Sequence, residues 1–402
     1  MPRCLLVPVL AVACLSFSAQ ADQRTVDSTE QSLDVSSFLT DLWSDARSAG
    51  IDRRTFDAAF ADFAPDSRVI AATHHEPEYG KPIGAYISSI ASQARISAGR
   101  DKALQWGSVL DTIERRFKVE RWVILALWGI ETSYGADHDR WDVIRSLATL
   151  AWAHYRHPYF RNELLAALEI LQGGHVSRDR MVGSWAGAMG QPQFMPSNFF
   201  RYAVDFSGDG RRDIWTNVPD VLASIGNYLS LEGWTFGLPW GFEVVLPPGF
   251  DYRRSRASFA EWARMGLRRA DGATLPLDGD AILLFPSGAT GPGFLVTRNF
   301  AVLKLYNNSD VYALAVGHLA DRMHGTPPFR GIWPKVDPQL SRQARIALQL
   351  KLAELGYPVH DFEGRFDFDL RDAIREIQAK FGMVPDGQPT PALLEDLGIP
   401  SR

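Results

Sequence analysis

A glutamate at the end of an apolar run is the first residue whose type and position suit chemistry. Glu131 follows residues 121–130, which are apolar nearly all round, within the sequence Gly-Ile-Glu-Thr-Ser-Tyr-Gly. Burial against Trp128 and Ile130 disfavours a charged carboxylate, so the sequence predicts a raised pKa for Glu131 and the role of a general acid. The alternative is a carboxylate that ends its helix and points to solvent.

A loop of small residues, 183–197, is the second candidate. It reads Gly-Ser-Trp-Ala-Gly-Ala-Met-Gly-Gln-Pro-Gln-Phe-Met-Pro-Ser, so its backbone can come close to a ligand. Ser184 and Gln193 offer neutral hydrogen bonds of the kind that orient a sugar. The same composition also suits a tight turn packed against a helix, and the residues leave both interpretations open.

An acidic loop predicts a structural calcium site. Asp205, Ser207 and Asp209 stand at positions 1, 3 and 5 of an EF-hand-like pattern, with Gly210 at position 6. Thr216 stands at position 12, where that pattern expects a glutamate. The alternative is a solvated acidic turn, because Asp and Gly shape turns without any metal.

Helices must position these candidates. Apolar residues recur at helical spacing over 35–63, 83–117, 142–154, 159–171 and 220–232. The run 121–130 predicts a helix buried in the middle of a domain. Between 237 and 306, Pro and Gly separate short β-type runs, which predicts a small sheet-containing lobe. Those β-type runs are 242–246, 281–285, 294–296 and 301–306.

Composition and the first residues bear on location and partners. The formal net charge of −5 leaves no basic stripe for nucleic acid. Residues 1–21 join an apolar stretch to Ala-Gln-Ala, which predicts a cleaved signal peptide and a periplasmic protein. Acylation at Cys14 is the alternative. No later apolar run reaches the roughly 20 residues of a transmembrane helix, so no membrane span is expected.

Three separated motifs together resemble one enzyme family. They are the sequence around Glu131, the 183–197 loop, and the run 300–316, Phe-Ala-Val-Leu-Lys-Leu-Tyr-Asn-Asn-Ser-Asp-Val-Tyr-Ala-Leu-Ala-Val. Over about 38–323 the chain resembles the lytic murein transglycosylase B family. The resemblance implies a mainly α, α+β protein whose catalytic domain, 32–325, is lysozyme-like and carries the small β lobe.

The resemblance implies catalysis by one carboxylate. Glu131 would protonate the β-1,4 bond between N-acetylmuramic acid and N-acetylglucosamine in peptidoglycan glycan strands. As a carboxylate it would then take the proton of the muramic C6 hydroxyl, which closes on C1 to give a 1,6-anhydro product. Ordinary glycosidases need two partnered carboxylates, whereas only Glu131 follows an apolar run here. Two other functions stay open: a lysozyme-type muramidase that admits water, and a non-catalytic wall-binding scaffold.

The family pattern also implies side chains that contact the sugar. They are Ser184, Gln193, Tyr228, Tyr306, Asn307, Tyr312, Tyr86 and Arg156. Each aromatic residue among them could equally be core. The pattern offers Asp220 as the closing calcium ligand of a lengthened loop, 205–220, to which Arg211 gives only its backbone carbonyl. The family usually shows Gly or Tyr-Gly where this chain has Gln191-Pro192, which leaves the shape of the 183–197 loop unpredicted.

The end of the chain resembles a three-helix peptidoglycan-binding domain. Four prolines in 326–338 predict a semi-rigid linker, and residues 339–402 follow it. The resemblance rests on 348–357, 363–366, 373–378 and 386–390. It departs at 367–370 and at Ile377, where the domain usually has Phe. We expect this unit to hold a monomeric enzyme on the wall by avidity.

Overall fold

The computed structural model describes residues 35–74, 82–136, 141–335 and 340–400. The predicted signal peptide, its alternative at Cys14 and the end of the predicted linker lie outside the described residues. Within the described ranges, no helix has the length and apolar character needed to cross a membrane.

The described residues are mainly helical. Their α-helices are α1 (Val35–Ser48), α2 (Arg53–Phe60), α3 (Ser67–Ala72), α4 (Ile83–Ile90), α5 (Gln93–Gln105), α6 (Gly107–Phe117), α7 (Arg121–Thr132), α8 (Val143–Trp152), α9 (Tyr159–Gln172), α10 (Pro196–Tyr202), α11 (Val218–Leu231), α12 (Phe259–Arg264), α13 (Arg298–Tyr306), α14 (Asp310–His324), α15 (Arg342–Glu354), α16 (Phe368–Lys380) and α17 (Pro391–Asp396). The two long segments with helical periodicity, 35–63 and 83–117, divide into shorter helices because capping residues within them begin new helices. Asp52 accepts a hydrogen bond from the Thr55 N–H at 2.6 Å and begins α2 in this way.

The strands form one pair and one small sheet. They are β1 (Trp141–Asp142), β2 (Val182–Gly183), β3 (Gly241–Val245), β4 (Arg256–Ser258), β5 (Arg268–Arg269), β6 (Asp280–Leu284) and β7 (Gly293–Val296). Strand β1 pairs antiparallel with β2, and the other five form an antiparallel sheet in the order β4-β6-β7-β3-β5. The expected mainly α fold with a small β lobe is confirmed.

One predicted β-type run is wrong. Residues 301–306 form the last six residues of helix α13, not a strand. The Thr297 side chain accepts a hydrogen bond from the Asn299 N–H at 3.2 Å and starts the helix directly after β7. Val302 and Leu303 are buried on the helical face. A short apolar run does not separate helix from strand by its periodicity, and here the cap decided.

Helix α7 lies at the centre of the main core, as its composition predicts. All residues from Val123 to Gly129 are buried, and α5, α6, α11 and α14 pack against the helix. Because apolar side chains cover its whole circumference, α7 has to be surrounded on every side. Its carboxyl end therefore emerges from the interior of the domain, which places Glu131 at the edge of the core.

Two smaller cores complete the fold. The sheet and α12 enclose Phe242, Phe259, Trp262 and Leu283. Helices α15, α16 and α17 pack around a third core that includes Ile374, as expected for the C-terminal unit. The segment before it is anchored on the main domain: the ring of Phe329 stacks on that of His318, with centroids 3.8 Å apart.

A half-buried carboxyl beneath this segment, that of Asp321, makes stability depend on pH. Burial raises the pKa of Asp321 to about 7, although the Trp240 indole N–H donates to it at 3.0 Å and Arg269 lies nearby. A carboxyl whose folded pKa lies above its unfolded value stabilises the fold fully below about pH 3.8, and this stability is lost as the pH rises through 7. Raising the pH from 5 to 8 therefore ionises Asp321 and lowers the free energy of unfolding.

We expect Asp321→Asn to reduce this pH dependence, because the amide stays neutral and still accepts from Trp240. Between pH 5 and pH 8, the unsubstituted protein should lose about 2 kcal/mol more of its free energy of unfolding than the variant does. Urea unfolding at both pH values measures this. Asp278→Asn, at an exposed position, is the control. Equal pH dependence in all three proteins would exclude Asp321 as the titrating group.

Candidate active site

Helix α7 ends immediately after Glu131. Ser133, Tyr134 and Gly135 have φ angles of 48°, 62° and 78°, and the Tyr134 N–H donates to the Trp128 carbonyl at 3.2 Å. Three successive residues in the left-handed region turn the chain sharply away from the helix axis. A Cβ atom at Gly135 would also overlap Gln191 Oε1, so glycine is required there. The turn leaves the Glu131 side chain half-buried at the rim of the core.

A tyrosine hydroxyl is aimed at the Glu131 carboxylate. The Tyr312 phenol, on α14, donates a hydrogen bond to Glu131 Oε1. Burial raises the pKa of Tyr312 and of Tyr306 well above 10, and the negative charge of Glu131 raises both further. Both phenols therefore stay protonated and act as donors near the carboxylate. Glu131 therefore does more than end its helix and point to solvent, which was the alternative interpretation of the sequence.

An aromatic group supports the site from α11 and α13. The Tyr306 hydroxyl donates to the Pro192 carbonyl at 2.6 Å, which joins α13 to the 183–197 loop. Its ring centroid lies 4.8 Å from that of Tyr228 and 6.0 Å from that of Phe194. Tyr228 is buried, and its hydroxyl donates to the Leu305 carbonyl at 2.7 Å. The structure thus places Tyr228 behind Tyr306 as a core residue, because both its ring and its hydroxyl are used internally.

The 183–197 loop folds back on itself. The Ser184 N–H donates to the Ala188 carbonyl at 2.8 Å, and Ser184 Oγ accepts from the Ala188 N–H at 3.1 Å. Gln193 has a φ of 54°, and its side-chain amide donates to the Gly190 carbonyl at 2.9 Å. A Cβ atom at Gly183 would overlap the Ala188 oxygen. The small residues serve the turn, while the half-buried Ser184 and Gln193 remain at the surface.

Gln191 is a structural residue of the site whose contacts the sequence did not reveal. Its Oε1 accepts from the Trp128 indole N–H at 2.8 Å, and its Nε2 donates to the Trp215 carbonyl at 2.8 Å. The Thr132 hydroxyl donates to the Gln191 carbonyl at 3.0 Å. The residue ties the end of α7 to the loop. The signal in the sequence was a long amide side chain at a position where the family usually shows Gly or Tyr-Gly.

The remaining predicted contacts lie around this group. Tyr86, on α4, is half-buried and close enough to Tyr312 to raise the pKa of that phenol further. Asn307 follows α13, and its carbonyl accepts from the Ser309 N–H at 2.7 Å in the turn before α14. Arg156 is exposed and pairs with Glu363 of the C-terminal unit at 2.9 Å. The structure therefore places Arg156 at the contact between the two units.

The carboxylates of the acidic loop accept hydrogen bonds from N–H groups of the same loop. Asp205 accepts hydrogen bonds from the N–H groups of Gly208, Asp209 and Gly210, and Asp220 accepts three from other loop N–H groups. Asp220 is fully buried, and burial together with nearby Asp205 raises its pKa against these hydrogen bonds. Over the described residues, no three His, Cys, Asp or Glu side chains are grouped as metal ligands. Calcium binding by the 205–220 loop therefore stays a prediction.

Comparison with known proteins agrees with the sequence motifs. Residues 34–321 match the family described as Transglycosylase SLT domain, and residues 341–397 match the "Putative peptidoglycan binding domain" family. Membrane-bound lytic murein transglycosylase B of Escherichia coli K12 is 33% identical over 226 residues, which are 53% of this chain and 60% of that protein. The chain thus matches about 60% of the length of this curated relative.

Solved structures show the same relationship. SltB3 from Pseudomonas aeruginosa, in complex with NAG-anhNAM-pentapeptide, is 44% identical with a TM-score of 0.82, over 90% of this chain and 99% of that one. Escherichia coli Slt35 in complex with calcium is 25% identical with a TM-score of 0.61, over 72% and 92% of the two chains. The resemblance to the lytic murein transglycosylase B family is confirmed, and the chain belongs to the family of proteins with a transglycosylase SLT domain.

Proposed function

We propose that this protein is a lytic transglycosylase that cleaves peptidoglycan glycan strands between N-acetylmuramic acid and N-acetylglucosamine. The observation that carries the proposal is the half-buried Glu131 carboxylate with the Tyr312 phenol donating to it. Membership of the family and the likeness to SltB3, solved with NAG-anhNAM-pentapeptide, support the substrate.

In the proposed reaction Glu131 acts first as an acid and then as a base. Its proton passes to the glycosidic oxygen as the bond from that oxygen to the muramic C1 breaks. The muramic C6 oxygen bonds to C1, and its proton returns to Glu131. No water is consumed. Tyr312 donates to Glu131 Oε1, and this neutral donor stabilises the carboxylate between the two steps.

Asp142, a carboxylate that follows Glu131 in the sequence, has a structural role. It caps α8 by accepting from the Arg145 N–H at 2.9 Å, and it pairs with Arg178 at 2.8 Å. Glycosidases that use water position a second carboxylate opposite the acid. In the proposed mechanism the substrate's own C6 hydroxyl replaces that water, so no such partner is required.

The product end tests the proposal. Purified sacculi are incubated with the mature protein, and the released muropeptides are analysed by mass spectrometry. We expect 1,6-anhydro ends, which are one water lighter than hydrolysed ends. Reducing ends would identify a lysozyme-type muramidase instead. No release would favour the wall-binding scaffold.

We further propose a periplasmic location, with the C-terminal unit bound to the wall. Its match to a peptidoglycan-binding family supports the second point, and the name of the membrane-bound Escherichia coli relative supports an envelope location. The mass of the mature protein distinguishes cleavage after Ala21 from acylation at Cys14. Pull-down with sacculi tests wall binding.

Calcium binding by the 205–220 loop is also a proposal. Its oxygen-rich ligands and the calcium complex of Slt35 support it, while the internal hydrogen bonds of Asp205 and Asp220 weigh against it. If calcium binds, a concentration 100-fold above Kd should add about 2.7 kcal/mol of stability and raise Tm by about 5 °C. Thermal unfolding in EGTA and in CaCl₂ measures the change, with MgCl₂ as the control. Asp209→Asn should lose the increase, and an unchanged Tm for the unsubstituted protein would reject the site.

A further inference from the structure

A buried ion-pair network joins the C-terminal unit to the turn between α13 and α14. Asp310, the first residue of α14, lies between Lys304 on α13 and Arg371 on α16. Lys304 Nζ is 2.7 Å from Asp310 Oδ1. Arg371 donates to Asp310 Oδ2 from Nη2 at 2.5 Å and from Nε at 3.1 Å. All three side chains are less than a tenth exposed.

Both cations of this network have further hydrogen-bond partners. Arg371 Nη1 donates to the Gly387 carbonyl at 3.0 Å and to Gln388 Oε1 at 2.9 Å. Lys304 Nζ donates to the Phe366 carbonyl at 3.1 Å. Buried charges tolerate burial only when they are paired in this way, and removing one partner leaves the others uncompensated. The contact between the units is therefore sensitive to the loss of a single charge.

Burial raises the pKa of Asp310, but Lys304 and Arg371 outweigh that effect and lower it to about 2. The carboxylate therefore stays charged at neutral pH and requires both cations. In contrast, Arg256 reaches across to Asp372 at 3.0 Å through side chains that are 46% and 33% exposed. Arg256 also pairs with Asp369, and both of its ion pairs are solvated, so they contribute little to stability.

The network fixes the backbone of the turn between α13 and α14, which adjoins the candidate active site. Asp310 precedes Tyr312 by two residues, and Lys304 precedes Tyr306 by two. Tyr312 donates to Glu131, and Tyr306 donates to the 183–197 loop. The same turn contains Asn307. A rotation of the first turn of α14 would move the Tyr312 phenol relative to Glu131, because the helix is rigid over two residues.

We propose that Arg371, acting through Asp310, is a positioning residue for Tyr312, so that the C-terminal unit completes the active site as well as tethering the enzyme. The proposal rests on the proposed function. A positioning role differs from avidity in one measurable respect. Avidity affects only large, insoluble substrate, whereas positioning affects cleavage of any substrate that reaches Glu131.

The experiment compares Arg371→Leu with Arg256→Gln in the full chain. Both variants remove an ion pair between the units, but only the first touches the α13–α14 turn. On a soluble tetrasaccharide of alternating N-acetylglucosamine and N-acetylmuramic acid, Arg371→Leu should lower kcat at least tenfold with KM changed less than threefold. Arg256→Gln should keep both within twofold, and Arg371→Lys should recover part of kcat. A loss confined to sacculi would overturn the proposal in favour of tethering.

A double variant tests the route through Tyr312. If Arg371 acts through that phenol, Arg371→Leu combined with Tyr312→Phe should have the kcat of Tyr312→Phe alone. Multiplied losses would overturn the proposal.

Hydrogen exchange gives a readout that needs no activity. Amides of 311–316 should exchange at least tenfold faster in Arg371→Leu than in the unsubstituted protein, and at an unchanged rate in Arg256→Gln. Unchanged exchange in both would overturn the proposal even if the enzyme acts on another substrate. Faster exchange in a protein that cleaves nothing would refute the proposed function and leave the coupling of the two units intact.

Discussion

Glu131→Gln should lower the rate of muropeptide release by at least about 10³-fold, because the amide can neither donate the proton nor accept it back. The substitution preserves the shape of the side chain and the hydrogen bond from Tyr312, so the fold should keep its stability. Initial rates on sacculi, measured with Tm for the same samples, test both statements. Glu169→Gln, on the exposed face of α9, is the matched control and should retain full activity.

A companion substitution separates the acid from its donor. Tyr312→Phe removes the hydroxyl that donates to Glu131 and keeps the buried ring. A hydrogen bond to a charged group contributes roughly 1.5–3 kcal/mol, so we expect a loss of about 10- to 100-fold. Residual activity in Glu131→Gln comparable to that of Tyr312→Phe would contradict the assignment of Glu131 as the acid.

The second large effect concerns stability and belongs to Gln191. Gln191→Leu leaves the Trp128 indole N–H and the Trp215 carbonyl without their buried partner. Each unsatisfied buried group costs about 1–3 kcal/mol, so we expect the free energy of unfolding to fall by about 3 kcal/mol. Denaturant unfolding with an unchanged m-value measures this loss.

The neighbouring glutamine is the control for this prediction. Gln193 is half-buried, and its side-chain amide has one described partner, the Gly190 carbonyl. Gln193→Leu should cost less than about 1 kcal/mol of stability, while muropeptide release should fall at least tenfold if the side chain contacts the sugar. Equal destabilisation by the two substitutions would show that the Gln191 contacts add nothing particular to the fold.

Local sequence features predicted the helical elements well and some of their details poorly. The buried helix at 121–130 and the small sheet-containing lobe follow from periodicity and composition, whereas the C-terminal three-helix unit follows from the resemblance, and all three are present. The run 301–306 was predicted as β-type but is helical. The prediction was wrong because the residue that caps this helix, Thr297, lies outside the run. Where a segment is short, capping and packing decide its conformation rather than its periodicity.

The sequence also predicted some features of the candidate site and not others. Glu131 could be found because it follows a run that must be buried. The residues assigned to sugar contact have different surroundings in the structure. Tyr312 donates to the Glu131 carboxylate, and Tyr306 lies near that carboxylate but donates to the Pro192 carbonyl. Tyr228 is buried, and Arg156 pairs with Glu363. Motif position does not distinguish a tyrosine that lines a cleft from one that supports it, because both need the same residue type.

The sequence by itself determined that an acidic residue would end a buried helix, and that glycines would let the next loop turn tightly, because hydrophobic periodicity and backbone freedom are local properties. Only the tertiary structure decided which groups meet that residue. The Tyr312 donor is 181 positions away along the chain, and the Arg371–Asp310 pair joins two units across 61 positions. Such pairings depend on how whole helices pack, and no local pattern specifies them.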